Sequence, residues 1–419
     1  MKKAIIILGF VIFVVLMGFL IYTLFFKPVI SPPAPPMANL NQPEKPGGFP
    51  KIGPGVNRPG VQPGKTTLPP VKKKPVPVSP PPPSQEFPSK IAQGGLTEVK
   101  DATSEPSLGA TLTPSGGLVY YSKDDNKFYK IQPDGTKIPY VDKEFYEVSK
   151  INWSPNKDKA ILEYPDNSKI LYDFQKRKQY TLLKNWNNFS FSPDGNQIAF
   201  TTESVLPEDR WLAISQPDGT GARPIEDLGE NADKVIVSWS PNNQIIAFSK
   251  TGEPMGTWLQ EIYPVGLHHE NFLSLIVNGR GFQPKWSPDG KKLLYSVYNP
   301  DSDFKPILWI TDCYGQDIGN NNLSLGLNTW ADKCVFSPNG EELYCAVPRE
   351  LPQGAGFYPE MNTDIVDDFY KINLKTGQKI LIAQPAGDYN VKDPFLSPDG
   401  KYLYFTDKRS NQVKRIQLK

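Results

Sequence analysis

Trp286-Ser287-Pro288-Asp289-Gly290-Lys291-Lys292-Leu293-Leu294-Tyr295 is a turn motif followed by an apolar triplet. Ser, Pro, Asp and Gly in succession suit a type I β-turn. Pro presets φ, the Asp side chain bonds nearby backbone, and Gly accepts positive φ. The large apolar residue before Ser brings a strand into the turn with its side chain buried. Three consecutive apolar residues after the turn describe a strand covered on both faces.

The pattern recurs. Leu112-Thr113-Pro114-Ser115-Gly116, Trp153-Ser154-Pro155-Asn156, Phe191-Ser192-Pro193-Asp194-Gly195 and Trp239-Ser240-Pro241-Asn242 precede it. Phe336-Ser337-Pro338-Asn339-Gly340 and Leu396-Ser397-Pro398-Asp399-Gly400 follow. The seven prolines are 41, 38, 48, 47, 50 and 60 residues apart. A second column, five to seven residues after each Pro, needs no gap to align. It reads Val119-Tyr120-Tyr121, Ala160-Ile161-Leu162, Ile198-Ala199-Phe200 and Ile246-Ala247-Phe248, then Leu293-Leu294-Tyr295, Leu343-Tyr344-Cys345 and Leu403-Tyr404-Phe405. A period of about 40–50 residues with doubly covered strands predicts an all-β fold, a β-propeller in which each blade lies between two others. Seven copies predict seven blades, with six or eight as alternatives.

Aromatic-Ser-Pro-Asp-Gly, an apolar strand and a later Asp-Gly turn such as Pro133-Asp134-Gly135 or Pro217-Asp218-Gly219 resemble the TolB-like propeller repeat, a WD-repeat-like family. The resemblance covers roughly residues 108–419 and implies the propeller fold. It does not carry over the Tol–Pal role of periplasmic TolB, because no α/β domain is legible ahead of the repeats. The seventh copy ends at Lys419 with no residues left for an outer strand. Residues 95–100 are expected to supply that strand and latch the ring.

Upstream, the texture changes twice. Residues 4–26 carry no charge, with Lys2 and Lys3 before them and Lys27 after. A helix of that length spans a hydrocarbon core of about 30 Å. Its bulky end, Tyr22-Thr23-Leu24-Phe25-Phe26, lacks a signal-peptidase site. One N-terminal transmembrane helix is therefore expected within residues 1–27, acting as a single-pass anchor in a bacterial plasma membrane. The positive-inside tendency puts the N-terminus in the cytoplasm and the propeller outside. Residues 28–90 hold 20 of the 44 prolines. Proline removes backbone donors and little apolar surface is present, so residues 28–92 are expected to be a disordered, Pro-rich stalk. The propeller is assigned to residues 93–419.

The net charge of +2 hides a division: residues 28–95 have eight basic and two acidic side chains, whereas the propeller region is net acidic. An acidic folded region argues against nucleic acid. No Gly-x-Ser-x-Gly elbow is present, and His268 and His269 are the only histidines. No catalytic, cofactor or metal residues are assigned and no cofactor is expected; the expectation is that the chain is not an enzyme. Cys334 and Cys345 are equidistant from the Asn339-Gly340 turn, which permits a cross-strand disulfide in an oxidising compartment.

Loops after the core strand lengthen in the third to sixth repeats, and all loops of this class emerge on one face. Met255, Phe304, Leu351, Phe357, Tyr358 and Met361 lie in them. Apolar and aromatic residues on such a rim suit protein contact. The expected function is protein binding or scaffolding in the cell envelope, with an envelope protein as partner and the membrane held by residues 4–26. The alternative is a glycan or wall polymer bound, or cleaved by a hydrolase or lyase, at the channel. Oligomeric state is not legible.

Overall fold

The computed structural model describes residue 17, residues 87–252 and residues 255–419. The expected anchor and nearly all of the expected stalk lie outside the described residues. Seven antiparallel sheets follow one another along the chain, each with four strands of its own except the last, which has three. The first strands of the blades are Ser107–Leu112, Lys150–Trp153, Trp186–Phe191, Val235–Val237, Arg280–Trp286, Cys334–Phe336 and Val391–Leu396. The protein is an all-β, seven-bladed propeller.

Each Ser-Pro motif joins the first and second strands. Gly195, Gly290, Gly340 and Gly400 donate their backbone N–H to the carbonyl of the motif Ser, at 2.8 to 2.9 Å. The motif Ser also has a role that turn statistics do not reveal. Its hydroxyl donates to the Asx carboxylate or amide (Ser287 to Asp289, 2.6 Å) and accepts the N–H five residues on (Lys292 to Ser287, 2.9 Å). The same pair of bonds recurs at Ser397 with Asp399 and Tyr402. The motif aromatic reaches sideways. Trp153 Nε1 donates to Gly109 O at 2.7 Å, and Trp286 Nε1 to Ser238 O at 3.3 Å, each a carbonyl of the preceding blade's innermost strand or its end.

The apolar column of the second strands fills the space between blades. Val119, Ile161, Ile198, Ile246, Leu293, Leu343 and Leu403 are fully buried. Each such side chain contributes about 1.5–3 kcal/mol relative to exposure.

The ring closes close to the expected place. Lys100–Asp101, rather than the whole of residues 95–100, forms the outer strand of the seventh blade, with Lys100 opposite Arg415 and Asp101 opposite Lys414. Lys414 Nζ donates to Asp101 Oδ1 at 2.6 Å. Just ahead of it, Leu96–Thr97 runs parallel to Lys379–Pro385 as a fifth strand on the sixth blade. Ordered pairing begins before residue 93: Ser89 N donates to Leu96 O, and Ala92 N to Gln417 O at 2.9 Å.

Alternation of strand direction sends the Ser-Pro turns to one face. The loops between second and third strands leave on the other, together with the connections between blades. We call the latter the rim face.

Candidate functional site on the rim face

Three rim-face loops from blades four, five and six meet in a chain of aromatic rings. Trp258 lies 5.4 Å from Phe304 between centroids, Phe304 lies 5.1 Å from Phe357, and Phe357 lies 4.8 Å from Tyr298 and 6.5 Å from Tyr358. Phe357 is 44% exposed and Tyr358 61%, whereas Trp258, Tyr298 and Phe304 are half-buried.

The loop of blade five is shaped by a capped turn. Asn299 is buried; its Oδ1 accepts from Ser302 N at 3.1 Å and its Nδ2 donates to Asn278 O at 2.9 Å. Asp303 and Phe304 follow in the left-handed region, with φ of 53° and 56°. Such residues persist only where the surroundings fix them. Here the fixing comes from blade six: Gly354 N donates to Asp303 O at 2.9 Å and Gly356 N to Phe304 O at 2.8 Å. Gly356 allows that approach, because a Cβ there would meet Tyr298 Cβ at 2.6 Å and Phe304 O at 2.7 Å.

Behind the ridge lies a slot of about 170 Å³ whose walls include Tyr298, Pro306, Trp330, Gly356, Phe357 and Pro359. Around it, Asp301, Asp303, Glu350, Glu360 and Asp364 are exposed. Nearby cations are Arg349, whose Nε donates to Asp368 Oδ1 at 2.9 Å, Lys305, whose Nζ is 3.8 Å from Asp303, and Arg280, opposite Tyr298, whose Nη2 donates to Thr257 O at 3.1 Å.

The long loop is held from below by a buried polar cluster. Lys333 Nζ donates to Asp367 Oδ2 at 2.6 Å and to Asn390 Oδ1 at 3.1 Å, and all three residues are buried. Asn390 Nδ2 donates to the loop carbonyls of Asn362 and Thr363 at 3.0 and 2.9 Å. Burial lowers the Lys333 pKa and raises that of Asp367, each against the pull of its partner.

Of the six residues assigned to the rim from sequence, the structure brings Phe304, Phe357 and Tyr358 into ring contact. Met361 is 73% exposed on the same loop, in the short turn Pro359–Met361, but joins no ring. Leu351 is half-buried at the loop's start, and Met255 is exposed on the blade-four loop. Trp258 and Tyr298 were not singled out by sequence. Both directly flank the long loops, and an aromatic at either edge of an irregular segment is the signal that marks them.

A second feature of the rim face is a polar groove of about 530 Å³ at the inner ends of blades two to four. Lys150 and Glu163 are 3.3 Å apart, Asn187 Nδ2 donates to Glu203 Oε2 at 2.9 Å, and Asn188 Nδ2 to Thr201 Oγ1 at 3.1 Å. Arg210, Glu230 and Asp233 complete its charged lining. Asn188 sits at a register shift in its strand with φ of 57°.

Cys334 and Cys345 are directly opposite across their hairpin and are joined by a disulfide, with Cα atoms 4.0 Å apart. Cys313 is a buried thiol whose pKa is pushed up by burial. His268 and His269 lie in the loop after Leu259–Val265, where His269 Nδ1 is 3.5 Å from Glu226.

No protein-family model matches the chain, and no curated protein matches it in sequence. Solved structures match it in fold. An oligogalacturonate lyase in complex with manganese has a TM-score of 0.53 at 13% identity, covering 77% of this chain and 93% of that one. The oligogalacturonate lyase of Vibrio parahaemolyticus has a TM-score of 0.52 at 10% identity, covering 76% and 93%. The Swd1 propeller domain of Myceliophteria thermophila has a TM-score of 0.51 at 11% identity, covering 77% and 100%. The shared fold is the β-propeller.

The expectation that the chain is not an enzyme is overturned by these likenesses. Two of these three propellers are lyases. A missing nucleophile elbow therefore does not mark this architecture as inactive. At these identities the likeness itself shows the fold alone.

Proposed function

We propose that the protein is a binding propeller of the bacterial cell envelope, built from TolB-like repeats, that docks an envelope protein on the rim of blades four to six. In this reading residues 4–26 anchor it in the plasma membrane and the Pro-rich stalk carries the propeller outside. The observation that supports it is the aromatic ridge of Trp258, Phe304, Phe357 and Tyr358. Aromatic anchors flanking a small cavity are the residue types on which protein interfaces concentrate their binding energy. The test is a photo-crosslinking residue at position 358 in intact cells, with a control at the exposed Leu323 on the opposite face. A discrete adduct from position 358 alone, lost in Phe357→Ala, is expected. Equal labelling from both positions refutes the docking face.

The polar groove of blades two to four supports a second reading: binding or cleavage of a saccharide. Amides, hydroxyls and carboxylates converge there as they do in sites that hydrogen-bond sugar hydroxyls. Glu163, Glu203, Glu230 and Asp233 outnumber Lys150 and Arg210. The groove thus favours neutral or amino sugars over the acidic chains that name the matched lyases. Among the described residues no group of three His, Cys, Asp or Glu side chains fits a metal ion. Product release from wall glycans, lost in Glu203→Gln, would support this reading.

A further inference from the structure

We infer that the ligand of the aromatic ridge is a basic, proline-rich segment of the partner, bound as an extended left-handed helix. This deepens the docking reading above and rests on it.

The geometry narrows the recognition mode. Strand addition needs an open sheet edge, yet the ridge is carried by loops: residues 299–306 and 349–366 contain only the short turns Pro300–Ser302 and Pro359–Met361. A docked helix needs a continuous apolar trough to take its face. The slot behind Phe357 measures about 170 Å³, well below the roughly 300–1,000 Å³ of whole-ligand pockets. It is the size for one small apolar side chain, such as a prolyl ring.

The walls fit that ring. Tyr298, Trp330, Phe357, Pro306 and Pro359 supply apolar lining beside Gly356, and Gln283 and Ser296 add polar side chains. The exposed ring of Tyr358 extends the surface beyond Phe357. A polyproline helix exposes prolyl faces every third residue and has no N–H groups to strip of water. It is also preordered, so docking costs little chain entropy. A ridge of rings without a backbone ladder matches such a ligand better than a strand, whose N–H and C=O groups would be left unpaired.

Charge gives the second half. Asp301, Glu350, Glu360 and Asp364 stand exposed around the ridge. Arg349 is already held by Asp368 and Lys305 lies against Asp303. With Arg280 beside Tyr298 counted, exposed carboxylates still outnumber cations around the slot, and that balance selects lysine or arginine beside the prolines while repelling acidic flanks.

The test uses the full-length protein in detergent and a lysine-flanked polyproline peptide as probe, followed by indole fluorescence and by competition with the position-358 photo-adduct. Saturable binding is expected, weakened at least tenfold in Phe357→Ala and in Tyr358→Ala, with unchanged thermal unfolding showing that the ring is intact. Glutamate-flanked polyproline should bind at least tenfold more weakly. Equal binding of a lysine-flanked Gly-Ser peptide would reduce the effect to charge and overturn the inference, as would insensitivity to both substitutions. A photo-adduct that forms but is not competed by the probe overturns the proline reading and leaves the docking face standing. Absence of both overturns the two together.

Discussion

Gly356 donates its backbone N–H to the carbonyl of Phe304 at 2.8 Å, and this bond ties the longest loop of blade six to the turn of blade five. The approach is possible only without a Cβ. Gly356→Ala should push the loop away from Tyr298 and Phe304, costing about 1–3 kcal/mol by overpacking. Thermal unfolding measures the cost, and the position-358 photo-adduct should weaken because Phe357 leaves the ridge. A variant with wild-type stability and labelling would show that the loop does not need this contact.

Lys333 and Asp367 form a buried pair beneath the same loop. Lys333→Met leaves the Asp367 carboxylate without its cation, and removing one partner of a buried pair costs about 3–5 kcal/mol. Adding Asp367→Asn should restore part of that loss. Chemical denaturation of the single and double variants checks it, and a double variant less stable than Lys333→Met alone would contradict the account.

Glu105 gives a pH signature. Burial by itself would raise its pKa, but hydrogen bonds from Lys137, Ser104 and Tyr120 outweigh that and hold it at about 2. Tyr120 Oη donates to its Oε1 at 2.6 Å. A carboxyl with a depressed folded pKa contributes stability above its unfolded value, and the contribution is lost as pH falls through the folded one. Glu105→Gln should therefore cost about 2 kcal/mol at neutral pH. The gap to wild type should close between about pH 4.5 and 2. A gap independent of pH over that window would rule out an ionic origin.

The sequence made the blades legible because their determinants are local. A Ser-Pro-Asp-Gly turn and the apolar triplet after it lie within ten residues, and they set strand boundaries and the buried face together. The rim was legible only as loop length plus apolar content. It marked Phe304, Phe357 and Tyr358, whose rings the structure brings together. It could not show which loops lean on one another, since the meeting of Gly356 with Phe304 depends on tertiary approach. Lys333 and Asp367 were hidden for a related reason: they are 34 positions apart, and a charged residue carries no mark of burial until its counter-charge is placed. The latch was misplaced by a few residues because a two-residue strand has almost no pattern to read.

The disulfide between Cys334 and Cys345 predicts a count of thiols. Alkylation of unfolded, unreduced protein should modify Cys313 alone, and reduction should raise the number to three. Three modified thiols without reduction would show the bridge to be absent. Cys345→Ser should cost about 2–3 kcal/mol for a loop of this size.

Deleting residues 93–103 removes the outer strand of blade seven together with the Asp101–Lys414 bond. A lower melting temperature is expected, because Val413–Gln417 loses its hydrogen-bonded neighbour and becomes an open sheet edge. Unchanged melting would show that the ring closes without it.

The same closure sets a constraint on the order of events during synthesis. Asp101 and Lys414 are 313 positions apart, so a strand made early has to wait for one made much later. Blades one to six are able to form as hairpins arrive, whereas the final seam needs Val413–Gln417 to have been made. Until then Lys100–Asp101 is an unpaired edge, and its charged residues, Lys100 and Asp101, are the kind that keep such an edge from pairing with a neighbouring molecule.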